Sequence, residues 1–148
     1  MKALLLSLLT ATILASAPAE AQLRKVPSAV TDSFTQQFPQ AQEVVYKDVL
    51  TSYVVRFVRD GAHYTAKYSS KGDWLETDRE TSFDSLSSEV RDGFSKSKYA
   101  GWKVASAAEV VQPGQPNQYR VHVEKSDVQK RYLYFDQKGR MQRDSFTL

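Results

Sequence analysis

The chain of 148 residues contains no cysteine. This absence excludes a disulfide framework, thiolate metal sites, iron–sulfur clusters, cysteine nucleophiles and the lipid attachment of a lipoprotein. Glycine is scarce too, with six residues and no glycine-rich phosphate-binding loop. The 20 basic and 17 acidic residues leave a net charge of +3, which is too small to predict a nucleic-acid partner. What remains, 41% hydrophobic and 25% charged residues, is typical of a globular domain.

Long apolar runs are also lacking, apart from one at the N-terminus. Met1-Lys2 is a short positive region, and Ala3–Ala15 is largely apolar. Both Ala15-Ser16-Ala17 and Ala19-Glu20-Ala21 fit the A-x-A cleavage pattern, and we favour cleavage after Ala21. The apolar run has 13 residues, whereas a membrane-spanning helix needs about 20. We therefore predict a cleaved signal peptide over residues 1–21. The mature chain, residues 22–148, should be periplasmic or secreted, with no membrane span.

The mature chain contains an internal repeat. Three segments recur in the same order, at shifts of 60, 66 and 67 residues: Val26–Phe34 with Leu86–Phe94, Tyr53–Phe57 with Tyr119–Val123, and Tyr68–Gly72 with Phe135–Gly139. Repeated segments in a constant order indicate a structural unit that is used twice. We predict a single domain made of two repeats, at about residues 26–84 and 85–146.

Each repeat has the pattern of one helix followed by four strands. Apolar residues at every fourth position form a helical stripe in both repeats, namely Val26, Val30, Phe34 and Phe38, then Leu86, Val90 and Phe94. Short β-prone runs follow, separated by turn pairs such as Asp60-Gly61 and Lys138-Gly139. The predicted strands are 43–47, 53–59, 63–68, 74–77, 107–111, 118–125, 130–135 and 140–143. The predicted fold is α+β, a tandem repeat of a helix plus a four-stranded antiparallel meander.

These motifs are similar to those of the secreted PepSY-like family, which is grouped with the fold of the β-lactamase inhibitor protein (BLIP). The similar segments are V-P-x-A-V-x-x-x-F-x-x-x-F-P at Val26–Pro39, Y-x-V-x-F at Tyr53–Phe57, and Lys71-Gly72 shortly before Trp74. The second repeat departs from the pattern, since Ser87 stands where the first has a proline. The resemblance implies helices on one face of the sheet and an open opposite face for a partner. It implies no catalytic residues.

Strand alternation predicts which side chains occupy the open face. In a sheet covered on one side, the more apolar alternation faces the core, which here includes Tyr53, Val55, Phe57, Val121 and Leu133. The opposite alternation supplies the candidate binding residues Arg56, His63, Lys67, Arg120, His122, Tyr132 and Tyr134. Arginine and tyrosine are enriched at binding hot spots. The alternative is an ordinary solvated face. Because they point away from the core, the two tyrosines should tolerate substitution.

Catalytic and metal-binding patterns are weak. His63 and His122 are the only histidines, and neither has metal-ligand spacing with an acidic residue on a helix. The acidic cluster Asp73, Glu76, Asp78 and Glu80 lacks the spacing of an EF-hand calcium loop. No G-x-S-x-G nucleophile motif is present. We therefore predict a protein that is not an enzyme and carries no cofactor or metal.

The two halves of the mature chain differ in charge. Residues 22–84 hold eight basic and nine acidic residues, net −1, while residues 85–148 hold eleven and seven, net +4. A solvated basic face would explain the excess, and so would contact with an acidic partner or an anionic envelope surface.

Two functions fit these observations. The first is an exported module that binds another exported or envelope protein, such as an inhibitor or regulator of a hydrolase or peptidase. The second is a protein that binds a small ligand or an envelope polymer on the open sheet face. A protein partner predicts a broad face, whereas a small ligand predicts a deep pocket.

Overall fold

A computed structural model describes residues 25–146 as two helices on one antiparallel sheet, so the predicted signal peptide lies outside the described residues. The helices are α1 (Ser28–Gln37) and α2 (Ser88–Ser95), and a short 3-10 helix covers Phe83–Ser85. The strands are β1 (Gln42–Val49), β2 (Ser52–Arg59), β3 (Ala62–Ser69), β4 (Trp74–Thr81), β5 (Lys103–Val111), β6 (Gln118–Ser126), β7 (Gln129–Phe135) and β8 (Met141–Phe146). Within residues 25–146, neither helix has the length and apolar character needed to cross a membrane.

The eight strands form a single sheet in the order of the chain, and every neighbouring pair is antiparallel. This confirms the α+β class and all eight predicted strands. The central pair differs most from the prediction, because β4 continues to Thr81 and β5 begins at Lys103. Residues 78–81 are polar and show no apolar alternation, yet Asp78 and Thr81 pair with Val110 and Ala107 of β5. Pairing between distant segments, rather than local pattern, extends these two strands.

Both helices lie on the same face of the sheet. Residues directly opposite each other in an antiparallel pair share a face. The register connects core-facing positions across the sheet. From β2 to β5 the paired residues are Val55, Ala66, Thr77 and Val111. From β4 to β7 they are Thr81, Ala107, Val121 and Leu133, and Thr81 shares a face with Thr77 because the two are four residues apart on one strand. Since Val55 packs with α1 and Leu133 packs with α2, the helices cover one face. No helix within residues 25–146 packs on the other.

The core consists of two clusters, one under each helix. Val30, Phe34 and Phe38 of α1 pack on five buried residues of β2 and β3, which are Tyr53, Val55, Phe57, Ala66 and Tyr68. Val90 and Phe94 of α2 pack on Ala107, Val121, Val123, Leu133 and Phe135 of β5, β6 and β7. The predicted inward alternation is therefore confirmed. Burying aromatic and branched side chains in this way is the main stabilising contribution to the fold.

Two turn glycines hold hairpins against the helices. Gly72 in the β3–β4 turn and Gly139 in the β7–β8 turn both have positive φ, +86° and +73°, a conformation that glycine adopts without strain. A methyl group built on Gly72 would overlap the backbone carbonyl of Ala29 in α1, and one built on Gly139 would overlap that of Glu89 in α2. The Lys-Gly pairs seen in the sequence are therefore points of close backbone contact between turn and helix.

Candidate functional site on the concave sheet face

The register places all seven candidate binding residues on the face opposite the helices. Arg120 lies directly across from Tyr134, and His122 across from Tyr132, so these four side chains form one group on β6 and β7. Arg56, His63 and Lys67 lie on β2 and β3, where they are exposed. The seven residues thus form two groups on one face, with β4 and β5 between them.

This face is concave. A cavity of about 180 Å³ is lined by side chains from five consecutive strands, among them Thr65, Asp78, Ser106, Arg120 and Tyr132. Neighbouring strands are about 4.8 Å apart, so a flat sheet could not bring five of them around one small cavity. The twist and coiling of the sheet therefore create the cavity.

Arg120 is the centre of the concave face. Its guanidinium reaches across β5 to two carboxylates of β4, donating to Asp78 Oδ2 and, over 3.4 Å, to Glu76 Oε1. The residues of β5 beneath it are Ala108 and Val110, which are buried although neither described helix covers them. Small and medium side chains at these two positions leave room for the arginine to lie over the strand.

Further contacts hold this arrangement in place. Gln112 Nε2 donates to Glu76 Oε2 over 2.6 Å. The Arg120 guanidinium lies 5.0 Å from the centre of the Tyr132 ring, and that ring lies 4.8 Å from the His122 ring. Arginine over an aromatic ring gains a cation–π attraction in addition to its ion pairs. These contacts within the chain hold together a group that we call the Arg120 cluster, which consists of Glu76, Asp78, Gln112, Arg120, His122 and Tyr132.

Tyr134 corrects the expectation that both tyrosines can be changed freely. Its side chain lies on the predicted face but is only 6% exposed. Arg143 of β8 covers it, with the guanidinium carbon 3.4 Å from the ring centre. Tyr132 is partly exposed and lines the cavity. Alternation predicts the face correctly but not the burial, because burial here comes from curvature and from long side chains on neighbouring strands.

Two buried polar atoms on this face have no hydrogen-bond partner within residues 25–146, Asp78 Oδ1 and His122 Nε2. Such atoms are uncommon because an unsatisfied buried polar group is costly. His122 Nε2 lies 3.9 Å from Glu124 Oε1, beyond hydrogen-bonding distance. Both residues line the cavity. Within the described part of the chain, no group of three or more acidic or histidine side chains is arranged to hold a metal.

Burial also changes the acidity of the cluster. Loss of hydration raises the pKa of Asp78 from 3.8 to about 6, with a further increase from neighbouring Glu76 and an opposing effect of Arg120. For His122, burial lowers the pKa below 6.5, against the opposing effect of Glu124. The charge of the concave face therefore changes in mildly acidic solution.

The acidic residues of β4 are the part of this site that the sequence analysis missed. Glu76 and Asp78 belong to the acidic cluster that was considered only as a calcium site, and Asp78 lay beyond the predicted end of its strand. The available signal was that Glu76, Asp78 and Glu80 alternate, so that they share one face of an extended strand. Their pairing with Arg120, more than 40 residues away along the chain, requires the order of the strands.

We expect Asp78→Asn to remove a pH dependence of stability. A carboxyl group whose pKa is raised on folding binds its proton more tightly in the folded state, so its contribution to stability is present below pH 3.8 and is lost as the pH rises towards 6. The neutral amide does not titrate. Melting temperatures should be measured from pH 3.5 to 7. The melting temperature of the variant, relative to that of the wild type, should therefore rise between about pH 4 and 6.

The matched control for this prediction is Asp84→Asn, because Asp84 is exposed. The difference in melting temperature between Asp84→Asn and the wild type should stay constant from pH 3.5 to 7. His122 titrates in the wild type and in both variants, so its effect largely cancels when the melting temperature of a variant is compared with that of the wild type. A difference between Asp78→Asn and the wild type that did not change with pH would contradict the assignment.

Comparison with known proteins identifies the family. Residues 51–143 match the family model described as "Putative beta-lactamase-inhibitor-like, PepSY-like". The matched segment contains β2 to β7, the first half of β8, α2 and the whole Arg120 cluster. The chain belongs to this PepSY-like family. The resemblance drawn from the sequence motifs is therefore confirmed.

Solved structures of Bacteroides proteins share the fold. A DUF2874 family protein from Bacteroides ovatus superposes with a TM-score of 0.72 at 23% identity, covering 80% of this chain and 86% of its own. A BLIP-like protein from Bacteroides fragilis superposes with a TM-score of 0.69 at 25% identity, covering 80% of this chain and 85% of its own. A protein from Bacteroides eggerthii named as "putative periplasmic" superposes with a TM-score of 0.71 at 20% identity, covering 81% of this chain and 88% of its own.

The search of curated proteins found no match. The structural neighbours at 20–23% identity support the fold alone.

Proposed function

We propose that this protein is an exported, non-catalytic binding module that holds a partner protein on its concave sheet face. In this proposal, residues 1–21 are the signal peptide, and the mature domain consists of two helix-and-sheet repeats joined through β4 and β5. The partner is another exported or envelope protein, and the module inhibits or regulates a hydrolase or peptidase. The inhibitor-like description of the family supports this direction, and a shared fold alone would not establish it.

The observation that carries the proposal is the pre-formed Arg120 cluster, on a face that no helix within residues 25–146 covers. Arg120, His122 and Tyr132 are held by ion pairs and ring contacts, so little side-chain entropy is lost when a partner docks. Arginine and tyrosine at the centre of a concave surface are the residue types that dominate binding energy. Exposed Arg56, His63 and Lys67 extend the same face towards the other edge of the sheet.

One observation favours a second candidate, binding of a small ligand or an envelope polymer. The cavity of about 180 Å³ is polar and contains the two residues with unpartnered atoms, Asp78 and His122. Typical small-molecule pockets measure about 300–1,000 Å³, so this cavity would hold a single side chain or a short polar group. We prefer a protein partner, because a side chain of that partner can fill a cavity of this size while the rest of its surface covers the exposed residues.

We expect Tyr132→Ala to weaken partner binding by about 2 kcal/mol or more, the magnitude typical of a hot-spot residue. The mature protein, used as bait on its own envelope extract, should first identify the partner. Titration calorimetry with the purified partner then compares the wild type with the variant, after circular dichroism has shown that the variant is folded. The matched control is Arg91→Ala, which changes an exposed residue of α2 on the helix side of the sheet.

Two results would argue against a protein partner on this face. Unchanged affinity of the folded Tyr132→Ala protein would place the partner elsewhere on the molecule. Saturation of the concave face by a low-molecular-weight compound from the same extract, with no protein captured, would instead favour the small-ligand function.

A further inference from the structure

A second cavity lies on a different part of the molecule, at the corner between the end of α2 and the β6–β7 turn. Its volume is about 380 Å³, within the usual range for small-molecule pockets. Aromatic side chains form much of its wall, from Tyr99, Trp102 and Phe146. Tyr99 and Trp102 pack edge to face with ring centres 5.1 Å apart. This cavity shares none of the residues that line the concave cavity.

Two large apolar side chains at this corner are exposed to solvent. Phe146 is 72% exposed and Val128, in the β6–β7 turn, is 91% exposed. Both line the cavity, so its mouth presents apolar surface to solvent. Single exposed apolar residues are common, whereas a group of them around a cavity marks a ligand-binding surface.

The charges around the cavity have one sign. Its lining includes Lys98, Lys125, Lys130 and Arg131, and within residues 25–146 no acidic side chain lines it. Two of these cations have carboxylate partners outside the lining, since Lys98 Nζ lies 3.6 Å from Asp144 and Lys130 Nζ lies 3.0 Å from Glu124.

The other two cations, Lys125 and Arg131, form no salt bridge within the described residues, although the charge of Arg131 is one of the effects that lower the pKa of Asp144. Neither has a carboxylate within ion-pair distance in the described part of the chain. Arg131 instead lies over the Phe146 ring, 3.6 Å from its centre. Part of the +4 net charge of the second half of the chain is therefore concentrated beside an exposed apolar cavity.

We infer that this corner binds an anionic amphiphile, a molecule with a carboxylate or phosphate head and an apolar chain. Lys125 and Arg131 would receive the head, because arginine and lysine bind such oxygens through charge-assisted hydrogen bonds. The chain would lie against Trp102, Val128 and Phe146, where burial of apolar surface favours binding. This inference is independent of the partner on the concave face.

The test uses tryptophan fluorescence of the mature protein. The chain has two tryptophans, and Trp74→Phe removes the one on β4, so that Trp102 alone reports on the cavity. Laurate and dodecyl phosphate, below their micelle-forming concentrations, should each give a saturable change. Neutral dodecyl maltoside and cationic dodecyltrimethylammonium should not, because they lack the negative charge.

Substitutions then locate the site. Lys125→Gln and Arg131→Gln together should weaken laurate binding by about tenfold or more, since each removes a charge-assisted contact. Val128→Asp places a carboxylate at the exposed mouth and should have a similar effect without disturbing the core. Lys47→Gln, an exposed lysine of β1 at the opposite edge of the sheet, is the matched control and should bind like the parent.

Vesicles distinguish a membrane lipid from a free amphiphile. Suppose that the protein binds phosphatidylglycerol vesicles but not phosphatidylcholine vesicles, and that the variant with Lys125→Gln and Arg131→Gln no longer binds them. The ligand would then be a membrane headgroup. Binding of laurate without binding to either vesicle would make it a free amphiphile. The inference is overturned if no anionic amphiphile binds, if neutral and anionic amphiphiles bind equally, or if the folded variants bind like the control. None of these results would affect the proposed function of the concave face.

Discussion

Gly139→Ala should lower the melting temperature by at least about 10 °C or prevent folding altogether. Gly139 has φ of +73°, which an alanine adopts at a cost of about 1–2 kcal/mol. The added methyl group would also overlap the backbone carbonyl of Glu89 in α2. The turn must then move away from the helix, which opens the second core cluster around Val90 and Phe94. Backbone groups cannot rotate aside as a side chain can.

Gly114→Ala is the matched control for this prediction. Gly114 lies in the β5–β6 loop with φ of +69°, so it has nearly the same backbone conformation. In the described part of the chain, however, no atom lies within 4 Å of the position of an added methyl group. It should cost only the conformational strain, about 1–2 kcal/mol. Thermal unfolding followed by circular dichroism measures both variants. Equal losses in the two variants would mean that contact with α2 contributes nothing.

Phe34→Ala should destabilise the protein by about 3–5 kcal/mol, as for other buried aromatic residues. Phe34 is 3% exposed and its ring contacts four others, those of Phe38, Tyr46, Phe57 and Tyr68, with centres 5.1–6.4 Å apart. Alanine leaves a cavity and removes these contacts together. Because domains of this size are stable by about 5–15 kcal/mol, the loss should be large enough to measure by urea or thermal unfolding.

Phe94→Ala tests the second cluster, and Leu50→Ala, at a position that is 98% exposed, is the control. Five registered residue pairs join β4 to β5, so the two clusters share one continuous sheet. We therefore expect either phenylalanine variant to shift a single cooperative transition, and Leu50→Ala to leave it nearly unchanged. Two separate transitions would show that the halves unfold independently. Unchanged stability of both phenylalanine variants would contradict the assignment of the core.

The sequence determined where the helices and strands lie and which of their faces form the core, because those depend on local periodicity. The ends of β4 and β5 depended instead on the pairing between these two strands. A four-residue apolar spacing identified both helices, and two-residue alternation identified the core side of β2, β3, β6 and β7. The Lys-Gly pairs marked the β3–β4 and β7–β8 turns, although only the structure shows why glycine is needed there. At Gly139 that reason is the backbone of α2, which is distant in sequence.

In the candidate site, too, the sequence determined one part and the tertiary structure the other. Alternation was enough to assign Arg120, His122, Tyr132 and Tyr134 to one face, because the period of two holds along any regular strand. Their contacts were decided by the order and curvature of eight strands. Arg120 meets Asp78 only because β4 and β6 both flank β5. Burial of Tyr134 under Arg143 likewise depends on β8 lying beside β7. Charge pairing across strands is a tertiary property, since no local pattern specifies which strands become neighbours.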